Sequence, residues 1–404
     1  MTQPATFVIV GGGLAAAKGA EALRQEGFDG TIVLIGREPH LPYERPPLSK
    51  GYLQGSDERD TIFVHDADWY RDHAIDVRTG VEATALDPAA HEVTLSTGER
   101  LRYDKLLLAT GAVPRRLNVP GGERVLYLRT VDDSDRLRAT LSSARNVAVI
   151  GAGWIGLETA AAARNAGADV TVIEQEHQPL LGALGPELGA VFADLHRDNG
   201  VDLRLGARLA EVTGTGVRLE DGTHIDADAV IAGIGAAPDT ALAEAAGLEI
   251  DDGVKVTAGL RTSDPDIYAA GDVANAYHPR HRHHIRVEHW ANALNQPAVA
   301  ARAMLGRDAS YEEPPYFYTD QYDLGMEYLG HVPPGTPYEV AIRGDVKRRE
   351  FIAFWLGKDD RVLAAMNVNI WDQGDHLKAL VLSGAPVDRK ALTDPNVPLD
   401  RLVR

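Results

Sequence analysis

Apolar run, glycine-rich break, helix-period stretch, second apolar run: this order of positions occurs twice along the chain. In the first copy Phe7-Val8-Ile9-Val10 meets Gly11-Gly12-Gly13, residues 14–26 carry a helical pattern, and Thr31-Ile32-Val33-Leu34-Ile35 follows. In the second, Val147-Ala148-Val149-Ile150 meets Gly151-Ala152-Gly153, a helix is predicted over residues 155–166, and Val170-Thr171-Val172-Ile173 closes the module. Short apolar or β-branched runs bounded by glycine predict buried strands, and the longer amphipathic stretches between them predict helices. The chain thus contains a duplicated strand–turn–helix–strand module.

Further strand-rich stretches follow each module. Residues 92–95 and 101–108 come after the first, and residues 217–219 and 229–234 after the second. With turns at Thr97-Gly98 and Asp221-Gly222 they read as antiparallel additions. From about residue 314 the texture changes. Residues 351–356 and 361–369 flank Gly357-Lys358-Asp359-Asp360 as a hairpin, and a short helix is predicted over 375–382. This last part reads as a separate α+β domain.

Composition narrows the chemistry. The 404 residues are 44% hydrophobic and 25% charged, ordinary for a globular chain of two or three domains. A formal net charge of −18 argues against nucleic acid, whose phosphates call for a basic field. No apolar run approaches the ~18 to 20 residues of a membrane span. The first residues carry no basic, signal-like segment, so a cytoplasmic protein with no membrane association is expected. There is no cysteine. Thiolate-held iron–sulfur clusters, dithiol relays and cysteine sulfenates are therefore excluded, and no metal site is expected. Any redox chemistry must run on a bound organic cofactor or a metal held without thiolates.

The glycine turns suggest which cofactor. Between a strand and a helix, the first glycine permits a tight turn and the second lets backbone approach a pyrophosphate. The third small residue lets helix and strand pack closely, with the diphosphate at the positive helix end. Gly11, Gly13 and Ala16 form the first such set, and Gly151, Gly153 and Gly156 the second. One glycine turn can be purely structural; two, each between strand and helix, point to two dinucleotides. Glu174, directly after Val172-Ile173, can accept from both adenosine ribose hydroxyls and repels a 2′-phosphate, which favours NADH over NADPH. The same place in the first module holds Arg37 and Glu38. The economical pair is FAD with a nicotinamide dinucleotide, because a flavin accepts hydride and releases electrons singly.

These residues resemble the two-dinucleotide-binding flavoprotein family, and within it the ferredoxin reductases of bacterial oxygenase systems. The resemblance spans essentially the whole chain. It rests on Leu41-Pro42-Tyr43-Glu44-Arg45-Pro46-Pro47-Leu48-Ser49-Lys50, Leu108-Ala109-Thr110-Gly111, Ala269-Ala270-Gly271-Asp272 and Thr319-Asp320-Gln321-Tyr322. It implies an α/β fold of two Rossmann-like dinucleotide-binding domains, the second inserted in the first, plus a C-terminal α+β domain. The FAD domain would be 1–112 and 248–317, the NADH domain 113–247 and the last domain 318–404. FAD-contacting positions would be Ala15, Glu38, Lys50, Ala83, Arg129, Asp272 and Trp290, beside Gly11, Gly13 and Ala16. On the NADH side would stand Trp154, Ile155, Glu158 and Gly235, with Glu174 and the second glycine set. Lys50 and Glu158 would be the catalytic pair, Lys50 near the reactive face of the flavin. Relatives with a redox cysteine pair, or a single cysteine, after the first module are excluded because this chain has neither.

The resemblance further implies a separate acidic iron–sulfur ferredoxin as transient electron acceptor, serving a downstream oxygenase. An acidic protein needs a local basic surface for such a partner. The segment His278-Pro279-Arg280-His281-Arg282-His283-His284-Ile285-Arg286 supplies one, with Arg280, Arg282 and Arg286 as docking residues, and Lys347-Arg348-Arg349 is a second candidate. Three other readings stay open: an NADH-responsive flavoprotein in the manner of apoptosis-inducing factor, a rubredoxin reductase, and a one-nucleotide dehydrogenase without flavin. Monomer and homodimer are equally compatible with the sequence.

Overall fold

The computed structural model describes residues 4–402, which form two compact units. The first comprises residues 4–47, 56–115 and 236–313, and the second residues 48–55, 116–235 and 314–402.

In the first unit the strands Thr6–Val10, Thr31–Gly36 and Ile75–Thr79 lie parallel on one side, and Lys105–Leu108 and Ile267–Ala269 continue the sheet on the other. The helix Leu14–Gln25 follows the first glycine turn and packs with the helix Trp290–Met304. Alanines make this close: Ala16, Ala17 and Ala20 are fully buried. A three-stranded antiparallel sheet of Ala83–Asp87, Glu92–Leu95 and Arg100–Arg102 is added to the unit. Another combines Val254–Val256, Ala274–His278 and His283–Ile285, the last two pairing as a hairpin.

The second unit repeats the plan. Asn146–Ile150 lies between Asp169–Glu174 and Ala229–Ala232, with Asp202–Leu205 at the edge, all parallel. The helix Trp154–Asn165 follows the second glycine turn. Leu209–Val212, Gly216–Leu219 and His224–Asp226 form its antiparallel addition. The same unit holds an antiparallel sheet ordered Tyr316–Gln321, Leu324–Gly330, Val362–Val368, Glu350–Leu356, Glu339–Asp345. Its inner face joins the core of the glycine-turn sheet through Met326, Phe351 and Trp355, and its outer face is covered by the helix Gly374–Ser383 through Leu377 and Leu380.

One sequence expectation is corrected here. Residues 101–108 are two strands, and the second, Lys105–Leu108, joins the central sheet parallel to Thr6–Val10. Ala229–Ala232 likewise runs parallel to Asn146–Ile150 rather than as an antiparallel addition. Leu106-Leu107-Leu108 and Ala229-Val230-Ile231-Ala232 are buried at every position. That is the pattern of strands covered on both faces, which belong in parallel sheets. The turns at Gly98 and Gly222 stand as expected, with φ of +85° and +90°, and so does the hairpin between 351–356 and 361–369. Among the described residues, no helix is long and apolar enough to cross a membrane.

Candidate functional site: two nucleotide cradles and a buried carboxylate

In the first unit Gly11 has φ +145°, and a Cβ placed on it would lie 2.1 Å from the Ala109 carbonyl oxygen. Only glycine fits so close to the neighbouring chain, and the gap it keeps is where backbone can approach a phosphate. Gly13 precedes the helix Leu14–Gln25, whose first turn holds no acidic side chain and whose N-cap makes no side-chain hydrogen bond. Its first N–H groups are therefore available to an anion. Ala15 and Ala16 are buried on that first turn. Gly271, φ +83°, comes so near that an added Cβ would lie 3.1 Å from the Ala15 Cβ, which sets Asp272 beside the same helix start.

Glu38 lies two residues beyond the end of the second strand of this module, Thr31–Gly36. Its Oε1 accepts from Arg45 Nη2 at 2.8 Å and its Oε2 from the Tyr43 hydroxyl. A carboxylate has about four lone-pair directions, so acceptor capacity remains for ribose hydroxyls. Burial works against the charge of Arg45, but Tyr43, Glu38 and Asp272 outweigh it and hold the guanidinium more firmly protonated than usual. Arg37 turns away from Glu38, to Glu82 at 3.5 Å and Asp239 at 3.7 Å, so it does not compete for that carboxylate. Ala83 follows a segment moored to the same strand end, where Gly80 N–H donates to the Glu38 carbonyl at 2.9 Å. Trp290 Nε1 donates to Glu44 Oε2 at 3.0 Å at the start of its helix.

The second unit builds a matching cradle more tightly. An added Cβ would lie 2.5 Å from the Gly233 oxygen at Gly151 and 2.0 Å from the Gly151 oxygen at Gly156. The helix after Gly153 again has no acidic first turn and no side-chain cap. Glu174 Oε2 accepts the Ala152 N–H at 2.7 Å, which puts its carboxylate against the glycine turn. Ile155 is 41% exposed, a large apolar side chain left open at the cradle. Trp154 is instead packed, 4.9 Å from the Phe317 ring and 5.6 Å from Phe192. Gly235, φ +93°, follows the strand beside the turn. Both glycine turns thus fit a dinucleotide: room for backbone approach, open helix N–H groups and a strand-end carboxylate.

Lys50 and Arg129 also belong to the second unit. Arg129 precedes the helix Val131–Leu141, whose capping box pairs Thr130 with Asp133, and its own N–H donates to Asp133 Oδ2 at 3.2 Å. Lys50 Nζ lies 2.7 Å from Oε1 of Glu158, which is 3% exposed on the helix after the glycine turn. Ser49 donates to Oε2 of the same carboxylate and Thr319 to Oε1. The loop carrying Ser49 and Lys50 is held by Ser134 Oγ donating to the Leu48 carbonyl at 2.9 Å and Tyr52 OH to Asp135 at 2.6 Å. Lys50 also stands 5.3 Å over the Tyr318 ring. Ser49 and Thr319 were not among the expected site residues. Their signal was only their place in two of the quoted motifs.

Arg280 and Arg282 are exposed at the tip of the hairpin between Ala274–His278 and His283–Ile285. Arg286 is turned inward. Its side chain is 10% exposed and reaches Glu288 at 2.7 Å and Asp252 at 3.2 Å, which neutralise its charge in place.

Residues 5–297 match the family model of pyridine nucleotide-disulphide oxidoreductases. The chain belongs to that family. Residues 316–403 match a second model, the reductase C-terminal domain. The chain is 43% identical, over 97% of its length and 98% of the relative's, to the anthranilate 1,2-dioxygenase system ferredoxin–NAD(+) reductase component of Burkholderia cepacia. It is 36% identical to putidaredoxin reductase CamA of Pseudomonas putida, over 98% of this chain and 96% of that one. The crystal structure of the covalent putidaredoxin reductase–putidaredoxin complex superposes with a TM-score of 0.94 at 36% identity, covering 100% and 99% of the two chains. This member of the disulphide oxidoreductase family has no cysteine, so it is an oxidoreductase that does not use the chemistry of the family name.

Proposed function

We propose that this chain is an NADH-dependent ferredoxin reductase: it binds FAD and NADH and feeds single electrons to a separate iron–sulfur ferredoxin that serves an oxygenase. The observation that carries the reading is the pair of glycine cradles in a cysteine-free chain that aligns over 97% of its length with such a reductase. Bound FAD would accept hydride from NADH and release the two electrons one at a time.

The residues divide the work. Gly11, Gly13, Ala15 and Ala16, with Glu38, Ala83, Arg129, Asp272 and Trp290, would hold FAD. Gly151, Gly153, Gly156, Glu174, Ile155 and Gly235 would hold NADH, with Trp154 supporting the cradle from the core behind it. Lys50 would stand by the reactive ring of the flavin and stabilise the negative charge gained on reduction, its ammonium fixed by Glu158. Domain limits of 1–112 with 248–317, 113–247 and 318–404 are the functional division we propose. The cytoplasm, where NADH is supplied, is the proposed compartment.

Arg280 and Arg282 at the hairpin tip would steer an acidic ferredoxin, with Arg286 holding the hairpin from below through Asp252 and Glu288. The test is NADH-dependent cytochrome c reduction with and without added ferredoxins. Strong stimulation by a ferredoxin is expected. A slow rate with every ferredoxin, together with a long-lived reduced protein, would replace this reading with that of an NADH-responsive flavoprotein.

A further inference from the structure

Glu158 receives donors from two directions. Ser49 and Lys50 reach it from one loop, and Thr319 reaches it from the strand Tyr316–Gln321. Thr319 is also the end of a buried row. Gln321 Nε2 donates to Thr319 Oγ1 at 3.1 Å, Gln321 Oε1 lies 2.9 Å from His196 Nε2, and the Tyr322 hydroxyl lies 3.4 Å from His196 Nδ1. Thr319 and His196 are 0% exposed and Gln321 1%.

The protons along this row follow from what each group can do. The amide nitrogen of Gln321 only donates, so Thr319 Oγ1 accepts there and its own hydroxyl proton goes to Glu158. The amide oxygen of Gln321 only accepts, so His196 presents Nε2–H to it. A neutral ring then has a bare Nδ1, which faces the Tyr322 hydroxyl. Burial pushes His196 down to about 4, with Gln321 opposing only in part, so the ring is neutral near pH 7. Every donor vector therefore points the same way, toward the carboxylate. Bonds aligned head to tail polarise one another, and in a dry interior that matters most at the charged end.

We propose that His196, Gln321 and Thr319 form a one-way hydrogen-bond chain that fixes the Glu158 carboxylate for Lys50, with Thr319 as the positioning residue that touches it. Lys50 is the cation facing Glu158. Tyr318 lies under the ammonium, and Asp320 also feels the pair, raised by its burial and by Glu158 and Glu327 against the pull of Lys50. The row binds the helix Pro186–Asp198 to the sheet strand, so a side chain 0% exposed and remote in sequence sets the geometry of the catalytic pair.

The effect on the flavin rests on placing Lys50 beside that cofactor, as proposed above; the direction of the chain does not. Two measurements on the FAD-loaded protein separate them. In ¹⁵N-histidine-labelled protein, with the His196 resonance identified by His196→Gln, a neutral ring protonated on Nε2 is expected from about pH 6 to pH 8. A ring protonated on Nδ1, or charged in that range, overturns the chain. Thr319→Val keeps the shape and removes the donor. The equilibrium between oxidised and reduced flavin should then move about tenfold toward reduced, about 30 mV for a two-electron couple, as the charge of Lys50 loses its fixed counter-ion. Thr319→Ser should restore it. A Val variant with the potential of the parent, while Lys50→Gln shifts it, overturns the positioning role. If Lys50→Gln also leaves the potential unchanged, the placing of Lys50 falls, and the histidine resonance alone decides the chain.

Discussion

Lys50 and Glu158 are 108 residues apart in the chain and 2.7 Å apart in the fold, with the carboxylate 3% exposed. Burying such a charge is costly unless donors surround it, and here Ser49, Lys50 and Thr319 do so. Removing one partner leaves the other uncompensated. Lys50→Met should destabilise the protein by about 3 kcal/mol in denaturant unfolding, and adding Glu158→Gln should recover most of the loss. Either single variant should slow reduction by NADH about a hundredfold in stopped-flow experiments while FAD stays bound. Wild-type rates in both would remove the pair from catalysis.

Glu174 makes a separate prediction. Its carboxylate lies against the second glycine turn, accepting from Ala152 N–H at 2.7 Å. Glu174→Arg removes an acceptor for ribose hydroxyls and the repulsion of a 2′-phosphate. The Michaelis constant for NADH should rise at least about tenfold, and that for NADPH should fall. Steady-state kinetics with both dinucleotides checks this.

The hairpin arginines should divide by exposure. Arg280→Glu with Arg282→Glu reverses charge at an exposed tip. The Michaelis constant for ferredoxin should rise about tenfold at low salt, with the difference shrinking at high salt, while NADH-dependent ferricyanide reduction is spared. Arg286→Glu should act differently, because it would oppose Asp252 and Glu288 rather than a partner. Its mark should be a lower melting temperature.

His196 links stability to pH. Its folded-state value is pushed down to about 4 by burial, below the ~6.5 of an exposed histidine. Above pH ~6.5 the ring is neutral in both states and stability is at its full value. As pH falls, the unfolded chain takes the proton first, so stability declines until the folded ring protonates near 4. The loss attributable to this residue should total about 3 kcal/mol. Urea unfolding at several pH values, compared with His196→Gln, should show a flatter acid limb in the variant.

The glycine turns were legible because their physics is local: a positive φ and a missing Cβ at Gly11 and Gly151 leave a mark in the spacing of glycines along the chain. Glu174 was legible for the same reason, sitting at a fixed place after a strand. The strand Lys105–Leu108 was misread because Tyr103-Asp104 between it and Arg100–Arg102 carries no turn glycine, so residues 101–108 read as one stretch. Lys50 with Glu158 was expected only through the family resemblance. Ser49 and Thr319 were hidden as partners because the contact is made by tertiary folding, donor and acceptor being 109 and 161 residues apart in the chain. The inward turn of Arg286 was hidden too, since a run of basic residues does not say which of them already faces a carboxylate.

An anaerobic titration of the purified, FAD-supplemented protein with NADH, followed in the visible spectrum, decides whether the two cradles hold a flavin that NADH reduces. The protein should retain a yellow chromophore through gel filtration and bleach with about one equivalent of NADH. A colourless protein, or one whose spectrum NADH leaves unchanged, would contradict it.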